Sequence, residues 1–116
     1  MVAPARGDVW WVDLNPVRGR EQAGRRPALI ISTDHFNRGP RGLVWVMAMT
    51  RTQRPYPFHI AVSPRESGLA DTGYIMCEQL RSISIERLLS TAPVGRVSQA
   101  TLAEIERLLR VLLDLP

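Results

Sequence analysis

Hydrophobic periodicity changes once along this chain, and it changes near the end. Leu102, Ile105, Leu109 and Leu112 recur at intervals of three and four, with Leu108 and Leu113 widening the stripe into one face of a helix. Before residue 98 the apolar residues come in short runs or alternate with polar ones, punctuated by Gly, Pro, Asn and Asp, which is the pattern of strands and turns. A chain built this way folds as a small sheet closed by one C-terminal helix. At 116 residues it has room for one modest core, so residues 1–116 are expected to form a single domain.

The segment Asp8-Val9-Trp10-Trp11-Val12-Asp13-Leu14 reads as a first strand, closed by the turn signal Asn15-Pro16. Its adjacent tryptophans face opposite sides, so one belongs to the core and the other is either a semi-exposed platform or a dimer contact. Residues 18–25 read as a glycine-containing loop, 27–32 as an apolar second strand, and 34–42 as a turn-rich, mobile connection. The run Leu43 to Met49 fits a central strand that delivers Thr50-Arg51-Thr52-Gln53 at its polar end. Phe58, Ile60 and Val62 then alternate with His59, Ala61 and Ser63.

A turn-rich stretch at 64–68 precedes another strand at 74–83, one helical turn at 84–87 and a last short strand at 93–97. Ser98 is a candidate N-cap for the helix, or Thr101-Leu102-Ala103-Glu104 forms a capping box one turn later. The expected class is α+β, mostly β. Five or six short, mostly antiparallel strands fit a small barrel, which removes exposed edges by curling on itself.

The apolar runs are too short to cross a bilayer, and Met1-Val2-Ala3-Pro4 is not a basic segment followed by an apolar signal core. The chain is therefore expected to be soluble and cytoplasmic, with no membrane partner. Cys77 is the sole cysteine, and with His35 and His59 it makes a poor metal set, so chemistry without a metal or cofactor is expected. All fifteen basic residues are arginine. Eight of them, against Glu21 and Asp34, fall between Arg18 and Arg54, a local balance of +6, while the remainder carries seven arginines against nine acids. A field concentrated in one third of the chain points to a polyanionic partner, most simply nucleic acid.

The densest part of that third is Glu21-Gln22-Ala23-Gly24-Arg25-Arg26-Pro27, running straight into Ala28-Leu29-Ile30-Ile31. Arginine keeps its charge near neutral pH and presents a planar fork of donors suited to phosphate oxygens, so a pair fixed by proline at a strand mouth suggests phosphate handling. Cleaving RNA without a metal requires the 2′-OH to lose a proton, the phosphorane to be stabilised and the departing 5′-oxygen to gain a proton. Arg26 suits the phosphorane, Thr50 can donate to the same oxygens, and Glu21 is a nearby carboxylate able to act as base. His59, on the polar face of its strand, and His35, in a turn, read more readily as surface residues than as acid and base. Gln22, Gln79, Arg81 and one of Trp10 or Trp11 could read or stack single-stranded bases, while Arg18, Arg20, Arg25 and Arg51 are placed to contact the RNA backbone.

Together, Gly7-Asp8-Val9-Trp10, Asp13-Leu14, Pro16, Gly19, the Glu21 to Pro27 string, Phe36-Asn37, Thr50, Tyr56-Pro57-Phe58 and Glu78-Gln79-Leu80-Arg81-Ser82-Ile83 resemble the MazF/PemK toxin family. The resemblance covers essentially the whole chain, in order. It implies a homodimer of SH3-like barrels that cleaves single-stranded mRNA without metal, leaving 2′,3′-cyclic phosphate and 5′-hydroxyl ends. It assigns the principal catalytic roles to Arg26 and Thr50, with Glu21 matching an acid implicated in some members. It also implies a cognate antitoxin whose acidic, largely disordered tail blocks the RNA groove, in keeping with the arginine-rich third. Arg20, where a small residue is common, and Thr72-Gly73, in place of a serine-containing approach, leave the cleavage motif open.

Two other classes compete. A gyrase-poisoning toxin resembling CcdB would have the same barrel, but that class uses a tryptophan at its C-terminal helix end, and this chain has none after Trp45. A non-enzymatic SH3-like module would bind RNA or peptide without cutting.

Overall fold

The computed structural model describes residues 3–15, 18–19 and 24–116. Six strands appear in chain order: β1 (Asp8–Asp13), β2 (Arg25–Ile30), β3 (Leu43–Thr50), β4 (His59–Val62), β5 (Gly73–Ser84) and β6 (Gly95–Arg96). They are joined by two short helices, α1 (Asp34–Asn37) and α2 (Pro64–Ser67), by a 3₁₀ turn at Ile85–Arg87, and by the long C-terminal helix α3 (Gln99–Leu113). Every ladder is antiparallel, in the order β4-β5-β3-β2-β1-β6. The sheet curls as a half-barrel with α3 against it, as the periodicity indicates.

Strand alternation sorts the core into two layers. Val9, Leu29, Met47, Met49, Ile75 and Cys77 point to one face and pack with Leu102, Ile105 and Leu108 of α3. Trp10, Val12, Ala28, Ile30, Val44, Val46 and Ala48 fill the other, with Ile85 and Leu88 against them. β3 is apolar almost throughout because both of its faces are buried. Trp10 is the core tryptophan, its indole N–H donating to buried Asp8 at 3.2 Å, and Trp11 on the opposite face stays 38% exposed.

Pro27 does not open β2, contrary to the sequence reading; the strand begins two residues earlier and Pro27 pairs with Trp11 inside it. Leu14 N–H donates to Gly24 O, so by alternation the bonds between β1 and β2 fall at Val12–Arg26 and Trp10–Ala28, and Pro27 is not asked for a proton there. On its other side the same count, from Ile31 N–H to Trp45 O, makes Leu29 and then position 27 the donors toward β3, and proline has none. The β2–β3 ladder accordingly stops at Ala28–Ala48.

Three other boundaries shift. The 34–42 connection contains α1, where Thr33 caps and Asn37 is buried, its amide donating to Pro4 O at 3.0 Å and Ser32 O at 3.1 Å. The last strand is only Gly95–Arg96. Against β3, β5 passes from Leu80 to Ile75 while its partner moves from Met47 to Met49, so Met76 to Gln79 bulge from the ladder.

Ser98 caps α3, accepting from Thr101 N–H, so the alternative capping box is not formed. The carboxylate that completes the cap comes from α2: Glu66 accepts the Ser98 backbone N–H at 2.5 Å and the Thr101 hydroxyl at 2.9 Å. The Ser98 backbone bond holds the Glu66 carboxyl below its usual pKa, against a smaller opposing effect of burial. The end of α2 meets β6 at the same place. A Cβ on Gly68, whose φ is +75°, would stand 1.7 Å from Val94 O, and one on Gly95 would stand 2.2 Å from Ser67 C and O. Backbone touches backbone there, where no side chain fits.

Candidate functional site

Where the β2–β3 ladder stops, the strand ends separate and a cavity of about 510 Å³ opens between them. Gly24, Arg25, Arg26 and Pro27 line one wall, and Met49, Thr50 and Arg51 the other. Trp11 and the segment Leu69, Ala70, Asp71 and Gly73 complete the lining. The volume is within the range that accommodates a small ligand or one nucleotide.

Four sequence-predicted residues are thus brought together: Arg25, Arg26, Thr50 and Arg51. Continuing the Ala28–Ala48 register by two residues sets Arg26 opposite Thr50 on one face of the sheet. Arg26 and Thr50 are half-buried, whereas Arg25 and Arg51 are exposed. The Thr50 hydroxyl oxygen accepts the Thr52 backbone N–H at 3.2 Å, which fixes the turn carrying Arg51 and leaves the hydroxyl proton for another acceptor. Three guanidiniums and one hydroxyl around a cavity are groups suited to phosphate oxygens.

Other expected residues lie elsewhere. Arg20, Glu21 and Gln22 fall outside the described residues. Arg18 is exposed and does not line the cavity. Gln79, in the β5 bulge, and Arg81, opposite Val46, are farther along the sheet, also outside the lining. Trp11, left undecided between platform and dimer contact, lines the cavity. Among the described residues, no three His, Cys, Asp or Glu side chains form a group that could hold a metal ion.

His59 is not a surface histidine. Its side chain is 3% exposed, packed edge-on against Tyr56 and Phe58 with centroids 5.1 and 5.4 Å away. Nε2 donates to the Glu78 carboxylate, at 3.1 and 3.0 Å from its two oxygens. Nδ1 is buried without a partner among the described residues, and through Nε2 the ring braces the β5 bulge from β4. His35 is exposed in α1 and outside the cavity lining. Cys77, within the bulge, has its thiol pushed up to about 12 by burial, with Glu78 and Glu104 adding to the effect, and stays protonated.

Sequence reasoning missed Asp71. It is the one carboxylate lining the cavity among the described residues, and it arrives on the loop after α2, far in sequence from the arginines. No local pattern marks it.

The chain's likenesses agree with this geometry. A family model described as PemK-like, MazF-like toxin of type II toxin-antitoxin system matches residues 5–113. Endoribonuclease MazF9 of Mycobacterium tuberculosis is 42% identical over 95% of this chain and 96% of its own length. Endoribonuclease EndoA of Bacillus subtilis is 32% identical over 95% and 94%. Among solved structures, MazF of Deinococcus radiodurans superposes with a TM-score of 0.84 at 28% identity, covering 98% of this chain and 99% of that one. An endoribonuclease in complex with its cognate antitoxin, from Mycobacterial species, superposes with a TM-score of 0.76 at 29% identity, covering 100% and 98%.

Proposed function

Since this chain belongs to the family of PemK-like, MazF-like toxins of type II toxin–antitoxin systems, we propose that it is an endoribonuclease that cuts single-stranded mRNA at a short sequence motif. The observation that carries the reading is the cavity at the broken β2–β3 ladder, where Arg26 and Thr50 converge between Arg25 and Arg51.

In the proposed reaction the 2′-oxygen attacks the adjacent phosphorus as its proton passes to a base. The P–O5′ bond breaks, and the departing 5′-oxygen takes up a proton. The products are a 2′,3′-cyclic phosphate and a 5′-hydroxyl, with no metal required. Arg26 neutralises the charge that builds on the phosphorane oxygens, and Thr50 donates a hydrogen bond to them. Glu21 is the candidate base from sequence. Arg18, Arg20, Arg25 and Arg51 hold the RNA backbone, and Gln22, Gln79 and Arg81 are candidates for base contacts. We read residues 1–116 as one toxin domain that works in the cytoplasm as a homodimer. Its inhibitor would be a cognate antitoxin with an acidic tail drawn to the arginine-rich third, and the solved antitoxin complex of a similar endoribonuclease supports this partner.

The test is to incubate purified protein with a long RNA in EDTA, beside an Arg26→Ala variant, and map the cut ends. The parent protein is expected to cut at a short motif, and the variant to cut at least about a hundredfold more slowly. Intact RNA with the parent would return the protein to the gyrase-poison or binding-module class. Equal cutting by both would remove Arg26 from the mechanism.

A further inference from the structure

A carboxylate in a phosphate-binding cavity demands a reason, because it repels the anion that the arginines attract. Asp71 lines the cavity with Arg25, Arg26 and Arg51, and it forms no ion pair with any described residue. No described guanidinium pins it in place. Its position is anchored nonetheless: Ser67, fully buried, accepts the Leu69 N–H on its hydroxyl at 3.0 Å, and Leu69 packs against the core layer beneath α3. The short segment from Leu69 to Gly73 therefore holds Asp71 at the cavity wall.

The rest of the lining indicates what the carboxylate meets. Trp11, with Met49, Leu69 and Ala70, gives the cavity an apolar and aromatic part beside its cationic one. A nucleotide has that same division, with a flat base that stacks on an indole and a phosphate that takes arginine. The cavity volume of about 510 Å³ leaves room for one. An ionised carboxylate only accepts hydrogen bonds, so it favours a base edge that presents adjacent donors. Guanine alone offers two side by side on its Watson–Crick edge, N1–H and N2–H. Cytosine and adenine each place a ring acceptor beside their amino group, and uracil flanks its one N–H with two carbonyls, so all three set a lone pair against the carboxylate.

We propose that Asp71 is a specificity-determining residue that accepts both donors of a guanine stacked on Trp11, next to the phosphate held by Arg26 and Thr50. This inference rests on the nuclease reading of the cavity.

The experiment uses short RNAs containing the parent's cleavage motif, with each of the four bases in turn at every position flanking the cut. A further set replaces guanosine with inosine, which lacks the 2-amino group and keeps N1–H. One flanking position is expected to show about tenfold or greater preference for guanine, with a several-fold loss on inosine. Asp71→Asn, nearly isosteric and exposed, is expected to level the guanine preference and the inosine effect while still cutting. Arg26→Ala, in contrast, slows cutting of every RNA alike. An unchanged guanine-to-inosine ratio in Asp71→Asn, no guanine preference in the parent, or loss of all cutting in Asp71→Asn would each overturn the assignment. Failure of the parent to cut any RNA would overturn the nuclease reading itself, a separate result.

Discussion

At the residue scale, the cavity divides its labour between charge and hydrogen bonding. Arg26 is half-buried at the end of a strand, so its guanidinium is held rather than searching solvent, and lysine could not replace its planar fork. Thr50 contributes a hydroxyl whose oxygen is already fixed by Thr52 N–H. Thr50→Val keeps the shape and removes the donor; it is expected to slow RNA cutting by about tenfold to a hundredfold with no change in melting temperature beyond a few degrees, measured by single-turnover cleavage and thermal unfolding. Residues of this kind were legible because their chemistry sits in one contiguous string and one strand end. His59 was misread for the opposite reason. Alternation put it on the polar face of β4, and only the fold shows Tyr56, Phe58 and Glu78 closing around the ring. Asp71 was invisible, since the arginines that share its cavity are twenty or more residues away along the chain.

At the element scale, the helix α3 and the strand β3 were readable because each expresses one strong period or one continuous apolar run. The start of β2 was misplaced because proline suggests a strand boundary, whereas Pro27 ends one ladder and is tolerated in the other. The β5 bulge and the four-residue helices α1 and α2 leave no periodic trace, being too short to complete one. The N-cap of α3 was half legible: Ser98 was identified, but its carboxylate partner is Glu66, more than thirty residues upstream. This makes the cap sensitive to acid. The folded-state pKa of Glu66 is depressed, so its contribution is present above the unfolded carboxylate pKa and lost as pH falls through the folded value. Glu66→Gln is expected to lower stability by about 1 kcal/mol near neutral pH, and the gap between variant and parent should close as the pH falls below the carboxylate range. Urea midpoints at neutral and acid pH check this, and a gap that persisted in acid would deny the carboxylate its part.

At the scale of the whole molecule, the sheet's two edge strands, β4 and β6, are not joined by a ladder among the described residues; β6 instead meets the end of α2, where Gly68 and Gly95 let backbone lie on backbone. Neither glycine can gain a methyl without moving the other segment. Gly95→Ala is expected to cost about 3 kcal/mol or more, a large share of the stability of a domain this size, with Gly19→Ala as a control whose Cβ meets none of the described residues within 4 Å and which carries the cost of its positive φ. Chemical denaturation distinguishes the two, and equal losses would show that the close approach is not what matters. The seam has a second meaning, in time. The outer edge of β1 is covered by β6, and the Asp8 carboxylate receives Arg96 from a position 88 residues later in the chain. A ribosome making this protein releases β1, β2 and β3, with Arg51 just behind them, well before it has made β6, which completes the sheet, and α3, which packs on it. The growing chain thus carries its chemical groups before it carries the scaffold that aims them.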